Sequence, residues 1–159
     1  MAADGSLYAG GVFTQIGGQG RNRIAKLSGV GAGNADPNWN PSASGIVEAL
    51  AVGTDGAVYA AGRFIEIGGQ ARNYIAKLTG NGTGMADAQW NPSASWYVDA
   101  LALDGEGAVY AGGWFSTIGG QPRNRIAKLS GTGAGNADPG WNPSANNNVN
   151  ALAVAADGM

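Results

Sequence analysis

Tyr8, Tyr59 and Tyr110 stand 51 residues apart, and so do Trp39, Trp90 and Trp141. A period of this size marks a repeat architecture, in which each copy buries its apolar faces only by stacking on its neighbours. One copy reads approximately DGxVYAxGxFxxIGGQxRNxIAKLSGxGxGxADxxWNPSAxxxVxALAV, and three copies without insertion fill all but six of the 159 residues. Within the copy the stretch Val47 to Phe64, VEALAVGTDGAVYAAGRF, sets two apolar runs around Asp55-Gly56. That dipeptide predicts a tight two-residue hairpin with positive φ angles at the turn. The unit recurs from Val98 and is divided between the ends: residues 149–158 carry the first strand and the turn, residues 2–13 the turn and the second strand.

Four short strands are predicted in each copy. In the second copy they are strand a at 47–52, strand b at 57–64, strand c at 73–78 and a short outer strand d around 86–91. The loop 65–72 joins b to c, and the Asn-Pro of WNPSA stops pairing because proline has no N–H for a ladder. Helix is not expected, since glycine or β-branched residues interrupt every candidate window. In strand a, Leu50 and Val52 point one way while Ala49 and Ala51 point the other. Neither face is polar, which predicts strands covered on both sides. Four-stranded sheets stacked radially around an axis are the blades of a β-propeller.

The string VYAAGRF–IEIGGQARNYIAKL with WNPSAS and VDALAL resembles the bacterial delta-sixty repeat, a propeller repeat of large, mostly secreted or surface proteins. The likeness covers all three copies. It implies an all-β propeller and no catalytic residues, the family being largely uncharacterised. The competing fold is a β-trefoil, also three four-stranded repeats; of its ricin-type Gln-x-Trp signature only Ala88-Gln89-Trp90 comes near, with the Gln directly before the Trp. The domain expected is a single one: strands b–d of one blade at 4–46, blades at 47–97 and 98–148, and strand a of a closing blade at 149–158.

Closed propellers have four to eight blades, so three blades are expected to leave complementary edges, which are templates for another chain. The simplest completion is a homodimer of six blades, each copy donating strand a to the other, with Leu7, Tyr8, Val149, Leu152 and Val154 as the closure residues. Three chains making nine blades is the other closure. Two further origins fit the sequence, a piece of a longer natural propeller and an engineered self-assembling unit. Departures between copies, such as GTDG against LDGEG, favour natural parentage.

Cysteine and histidine are both missing, which removes disulfides, thiolate and imidazole zinc sites and the usual His general base. Nine basic and eleven acidic residues, without a basic run, argue against nucleic acid or an anionic membrane as partner. The start MAADGSLY has neither a charged beginning nor an apolar run, so no secretory leader is read there. No cofactor and no catalysis are expected. The string GVGAGNAD at 29–36 precedes a short strand, not a helix, and lacks alternating carboxylates, so neither a phosphate loop nor a calcium loop is read there.

Charges that recur in every copy, Arg21/72/123, Lys26/77/128 and Asp36/87/138, are expected to be structural. The arginines suit a brace to carboxylate or carbonyl oxygens, because the guanidinium is a planar fork of donors. Gln19/70/121 and Asn22/73/124 are expected to satisfy loop backbone in the same brace. Trp39, Trp90 and Trp141 suit an inter-blade wedge; the alternative is a sugar-stacking platform with Asn40, Asn91 and Asn142 as hydrogen-bond partners. Differences between copies cluster at the d–a connection and the end of strand b, which in an up-and-down blade emerge on one face of the disc. That face displays Arg63, Glu66, Trp96, Tyr97 and Trp114, residue types that favour protein interfaces. The reading is a non-catalytic structural or interaction module that self-assembles and presents one variable face to a protein or a glycan, with a lectin-like propeller as the alternative.

Overall fold

The computed structural model describes residues 4–155; the overlap AADG, at 2–5 and 155–158, falls mostly outside them. The first copy contributes β1 (Leu7–Gly10), β2 (Gln15–Ile16), β3 (Gln19–Gly20) and β4 (Ile24–Leu27). The second contributes β5 (Val47–Val52), β6 (Val58–Gly62), β7 (Glu66–Ile67), β8 (Gln70–Ala71) and β9 (Ile75–Leu78). The third contributes β10 (Val98–Leu103), β11 (Val109–Gly113), β12 (Thr117–Ile118), β13 (Gln121–Pro122) and β14 (Ile126–Leu129). No helix occurs among the described residues. The main sheets are antiparallel, ordered β5–β6–β9 and β10–β11–β14, while β1 pairs only with β4. Strand a of the two complete copies carries a register shift, between Val47 and Ala49 and between Val98 and Ala100.

Three local details differ from the sequence-based expectation. The hairpin around Asp55 is not a two-residue turn: Val52 pairs with Val58, and Gly53 N–H donates to the Ala57 carbonyl, so the loop is 53–57. Gly56 takes φ +80° there, while the Asp55 carboxylate accepts the Ala57 N–H and closes the turn from its side chain. The tight turn lies instead in the b–c connection, where Gly68 (φ +60°) and Gly69 (φ +74°) join β7 to β8. Strand c begins at Ile75, because Tyr74 sits at φ +67°.

Strand d shrinks to one bridge per copy, Leu27 with Ala35, Leu78 with Ala86 and Leu129 with Ala137. The next residue ends it. Asp87 Oδ1 accepts the N–H groups of Gln89 (2.9 Å) and Trp90 (3.3 Å), which bends the chain into a side-chain turn before Asn91-Pro92.

The core lies between the sheets. One cluster joins Ile24 and Trp39 of the first copy to Val47, Val58, Ala60, Phe64, Ile67, Ala76 and Leu78 of the second. A second cluster repeats it 51 residues on, with Ile75 and Trp90 against Val98, Val109, Ala111, Phe115, Ile118, Ala127 and Leu129. Alternate residues of β6 therefore serve opposite seams, Val58 and Ala60 the first and Tyr59 and Ala61 the second. All five residues of β6 are buried. The middle sheet is thus covered on both faces by its neighbours, the side-by-side stacking of propeller blades; a trefoil has no such alternation.

Candidate functional site

Most of the recurring polar residues are consumed by the fold. Arg21, Arg72 and Arg123 are 4–5% exposed, and each donates from one nitrogen to the preceding carbonyl and from another to an aspartate carbonyl, Asp36, Asp87 or Asp138, at 2.6–2.7 Å. The brace thus runs to backbone oxygen, and the aspartate carboxylates are left to shape the turn after strand d. Burial lowers the Arg72 pKa from its usual value, with Asp87 acting the other way. Asn22, Asn73 and Asn124 donate to the hydroxyls of Ser42, Ser93 and Ser144, not to loop backbone as expected. Those serines are held at φ +44 to +51°.

The tryptophans close the seams. Trp39 and Trp90 are wholly buried, stack edge-on against Tyr8 and Tyr59 at 5.0 and 5.3 Å, and donate their indole N–H to the Thr79 and Ser130 carbonyls at 2.8 Å. No ring face is left for a sugar, so the stacking platform is corrected at these two positions to an inter-blade wedge. Trp141 keeps the stack, on Tyr110 at 5.4 Å, but is half-buried. Asn40 and Asn91 face solvent, and their backbone N–H groups donate across the seam to the Thr83 and Ala134 carbonyls. Asn142 is exposed on the last blade.

The variable rim assembles a cluster where the second and third sheets meet. The d–a connection docks on the next b–c loop, since Ser44 Oγ accepts the N–H groups of Ile65 and Glu66, and Ser95 Oγ those of Ser116 and Thr117. Trp114 N–H donates to the Tyr97 carbonyl at 2.8 Å. The Arg63 guanidinium lies 5.0 Å from the Tyr97 ring centre and 3.0 Å from Glu48 Oε1. Trp96 packs on Tyr97 at 4.9 Å, and Tyr74 meets both rings at 6.3 and 5.5 Å. Trp96 and Trp114 remain 48% and 46% exposed, so the cluster is ordered yet open. Glu66 is exposed and stands apart from these contacts, its backbone tied to Ser44.

Asp99 joins this cluster from strand a. Its Oδ1 is buried without a hydrogen-bond partner, and burial raises its pKa against the pull of Arg63 and the Trp114 indole, with Glu48 adding to the rise. Tyr74 was not among the candidates read from the sequence, whereas Glu48 and Asp99, at equivalent positions of strand a with Asn150 in the third copy, read there as candidate channel-lining carboxylates and not as part of the rim. The signal for Tyr74 was present: it occupies the position held by Arg23 and Arg125 in the other copies. Those arginines reach back to carbonyls, Ala43 for Arg23 and Trp114 and Phe115 for Arg125, whereas Tyr74 supplies a ring to Trp96 and Tyr97.

The expected closure residues divide. Tyr8 is spent within the chain, bonding the Gly80 carbonyl at 3.0 Å and stacking on Trp39. Leu7 is 48% exposed on β1, whose inner edge has no strand beside it among the described residues. Val149 N–H approaches the Gly113 carbonyl at 3.4 Å, as Val47 N–H approaches that of Gly11 at 3.3 Å, so the chain sets off from the third blade as it does from the first. Leu152 is half-buried, Val154 is 37% exposed, and 149–155 forms no ladder. On the opposite face, between the a–b turns of the second and third copies, lies a groove of about 580 Å³ lined by Asp55, Tyr59, Lys77, Asp104 and Ser130. Its lysine is already engaged, with Gly131 at 3.0 Å and Asp55 at 3.6 Å.

No curated protein and no solved structure matches the chain. A family model matches residues 2–37, 53–84 and 107–138, the same phase of each copy, and the chain belongs to that family, described as a domain of unknown function (DUF5122) beta-propeller.

Proposed function

We propose that this chain is a non-catalytic structural and interaction module, an arc of blades that joins further copies of itself into a ring and presents one variable rim to a partner. The observation that carries the reading is the contrast between recurring and divergent residues. Recurring polar groups are spent on carbonyls and turns, whereas Arg63, Trp96, Tyr97 and Trp114 form an ordered cluster with two half-exposed indoles. Aromatic rings beside an arginine and two carboxylates supply the contacts that dominate protein interfaces. The test is a peptide and glycan array probed with the wild type and with Trp96→Ala/Trp114→Ala. Binding to peptides that the double variant loses is expected; binding that the variant keeps, or arrays with no signal, would count against the rim.

A lectin-like propeller is the second reading, favoured by the same exposed indoles, since Trp39 and Trp90 are sealed. Signal confined to glycans, and lost with Trp96 and Trp114, would select it. A likeness to the delta-sixty repeat goes with either reading, and the arc would equally serve as a stretch of a longer propeller.

A further inference from the structure

Each seam inside the chain is held by one set of bonds used twice. From the first blade to the second, Tyr8 Oη and Lys26 Nζ donate to the Gly80 carbonyl, Trp39 Nε1 to Thr79, and Asn40 N–H to Thr83. From the second to the third, Tyr59 and Lys77 donate to Gly131, Trp90 to Ser130, and Asn91 N–H to Ala134. The third donor set exists, in Tyr110, Lys128, Trp141 and Asn142. Among the described residues it meets no such carbonyls; Tyr110 Oη turns to Asp104 at 3.3 Å instead. The third acceptor set exists as well, in the carbonyls of Ser28, Gly29 and Ala32 on the first blade, 51 residues before Thr79, Gly80 and Thr83. Nothing in the described residues donates across a seam to it.

We infer that the face of the last blade docks on the first blade of a second copy of this chain, Tyr110 and Lys128 bonding its Gly29 carbonyl and Trp141 its Ser28 carbonyl. The inference rests on the ring reading above and adds the joint that seals it. Occupancy by a second copy follows from identity of parts. The bond set already joins first to second and second to third within the chain, and the two unused halves belong to the same set. Residues 149–154 of the donor then lie along the open edge of β1 in the partner, in the pairing that β5 makes with β6. Two chains joined twice in this way give six blades.

Shape supplies a second test of the joint. A Cβ placed on Gly84 or Gly135 would come within 2.9–3.0 Å of the indole of Trp39 or Trp90, because the tryptophan ring rests on that glycine. Gly33 is the same position on the first blade, and a Cβ there would meet nothing nearer than the Ser28 carbonyl at 4.0 Å. Its φ of +67° is one that asparagine tolerates. Gly33→Asn thus leaves the lone chain room, while its side chain would strike Trp141 of the second copy.

The experiment is light scattering coupled to size exclusion on the 159-residue protein, the Trp141→Ala variant and the Gly33→Asn variant, with circular dichroism to check each fold. A wild-type mass of two chains is expected, falling to one chain in both variants with the β-sheet spectrum kept. A wild-type mass of three chains with the same loss in the variants would keep the joint and change six blades to nine. A wild type that runs as one chain overturns both the joint and the ring. A wild-type oligomer that neither variant disturbs overturns the joint alone, leaving assembly to another surface.

Discussion

At the scale of single residues, position in a seam decides what a side chain is for. Trp90 is wholly buried, stacked and hydrogen-bonded, so Trp90→Ala removes a large packed volume and leaves the Ser130 carbonyl short of a donor. Such a loss costs about 3–5 kcal/mol, to be read as a lowered midpoint in urea. Asp99 behaves in the opposite sense. Burial raises its pKa above the ordinary 3.8, so the native state holds its proton more tightly than the unfolded chain does. The stability this contributes is complete below 3.8 and is lost as pH rises through the higher folded value. Asp99→Asn, the residue that Asn150 already supplies in the third copy, is therefore expected to raise stability at pH 7. The gain should vanish in melts below the ordinary carboxylate pKa, and a variant less stable than wild type at pH 7 would refute the assignment.

At the scale of elements, strand a and the inner part of strand b were legible because their apolar runs have the period of a strand and no polar face. Turn geometry was less so. Asp55-Gly56 has the composition of a two-residue turn, yet a carboxylate that bonds Ala57 holds a longer loop, while Gly68-Gly69, within a stretch without apolar alternation, makes the tight one. Strand d was overread because Asp87 captures the next amides before a ladder can extend. For the candidate site, copy-to-copy difference pointed to Arg63, Trp96, Tyr97 and Trp114, and on strand a it set Glu48 and Asp99 against Asn150; that Asp99 lies beside the rim depends on a burial that no pattern states. The Gly68 turn also gives a test. A Cβ at Gly68 would run into the Ala86 amide, and its φ of +60° already strains an L-residue. Gly68→Ala is expected to destabilise by more than about 1 kcal/mol; Gly69→Asn, with open space and a tolerated backbone, should stay within about 0.5 kcal/mol. Thermal melts of the pair check the contrast.

At the scale of the whole molecule, stability is a sum over blades and the seams between them, as in other stacked repeats. Association that completes a blade makes unfolding concentration-dependent. The melting midpoint is expected to rise with protein concentration, and amide exchange at 149–154 to be fast in dilute solution and slow in concentrated solution. Exchange at 149–154 that is fast at every concentration would argue that no strand ever covers β1. The interior of β6, buried on both sides, should exchange slowly throughout.

Because β6 gives one row of side chains to each neighbour, the apolar cohesion of this molecule lies largely in the joins between sheets. An open row of three sheets has only two joins; bending rows into a circle creates another for each chain without lengthening the polypeptide. The proposed circle would therefore gain cohesion at joins that the open row leaves unmade.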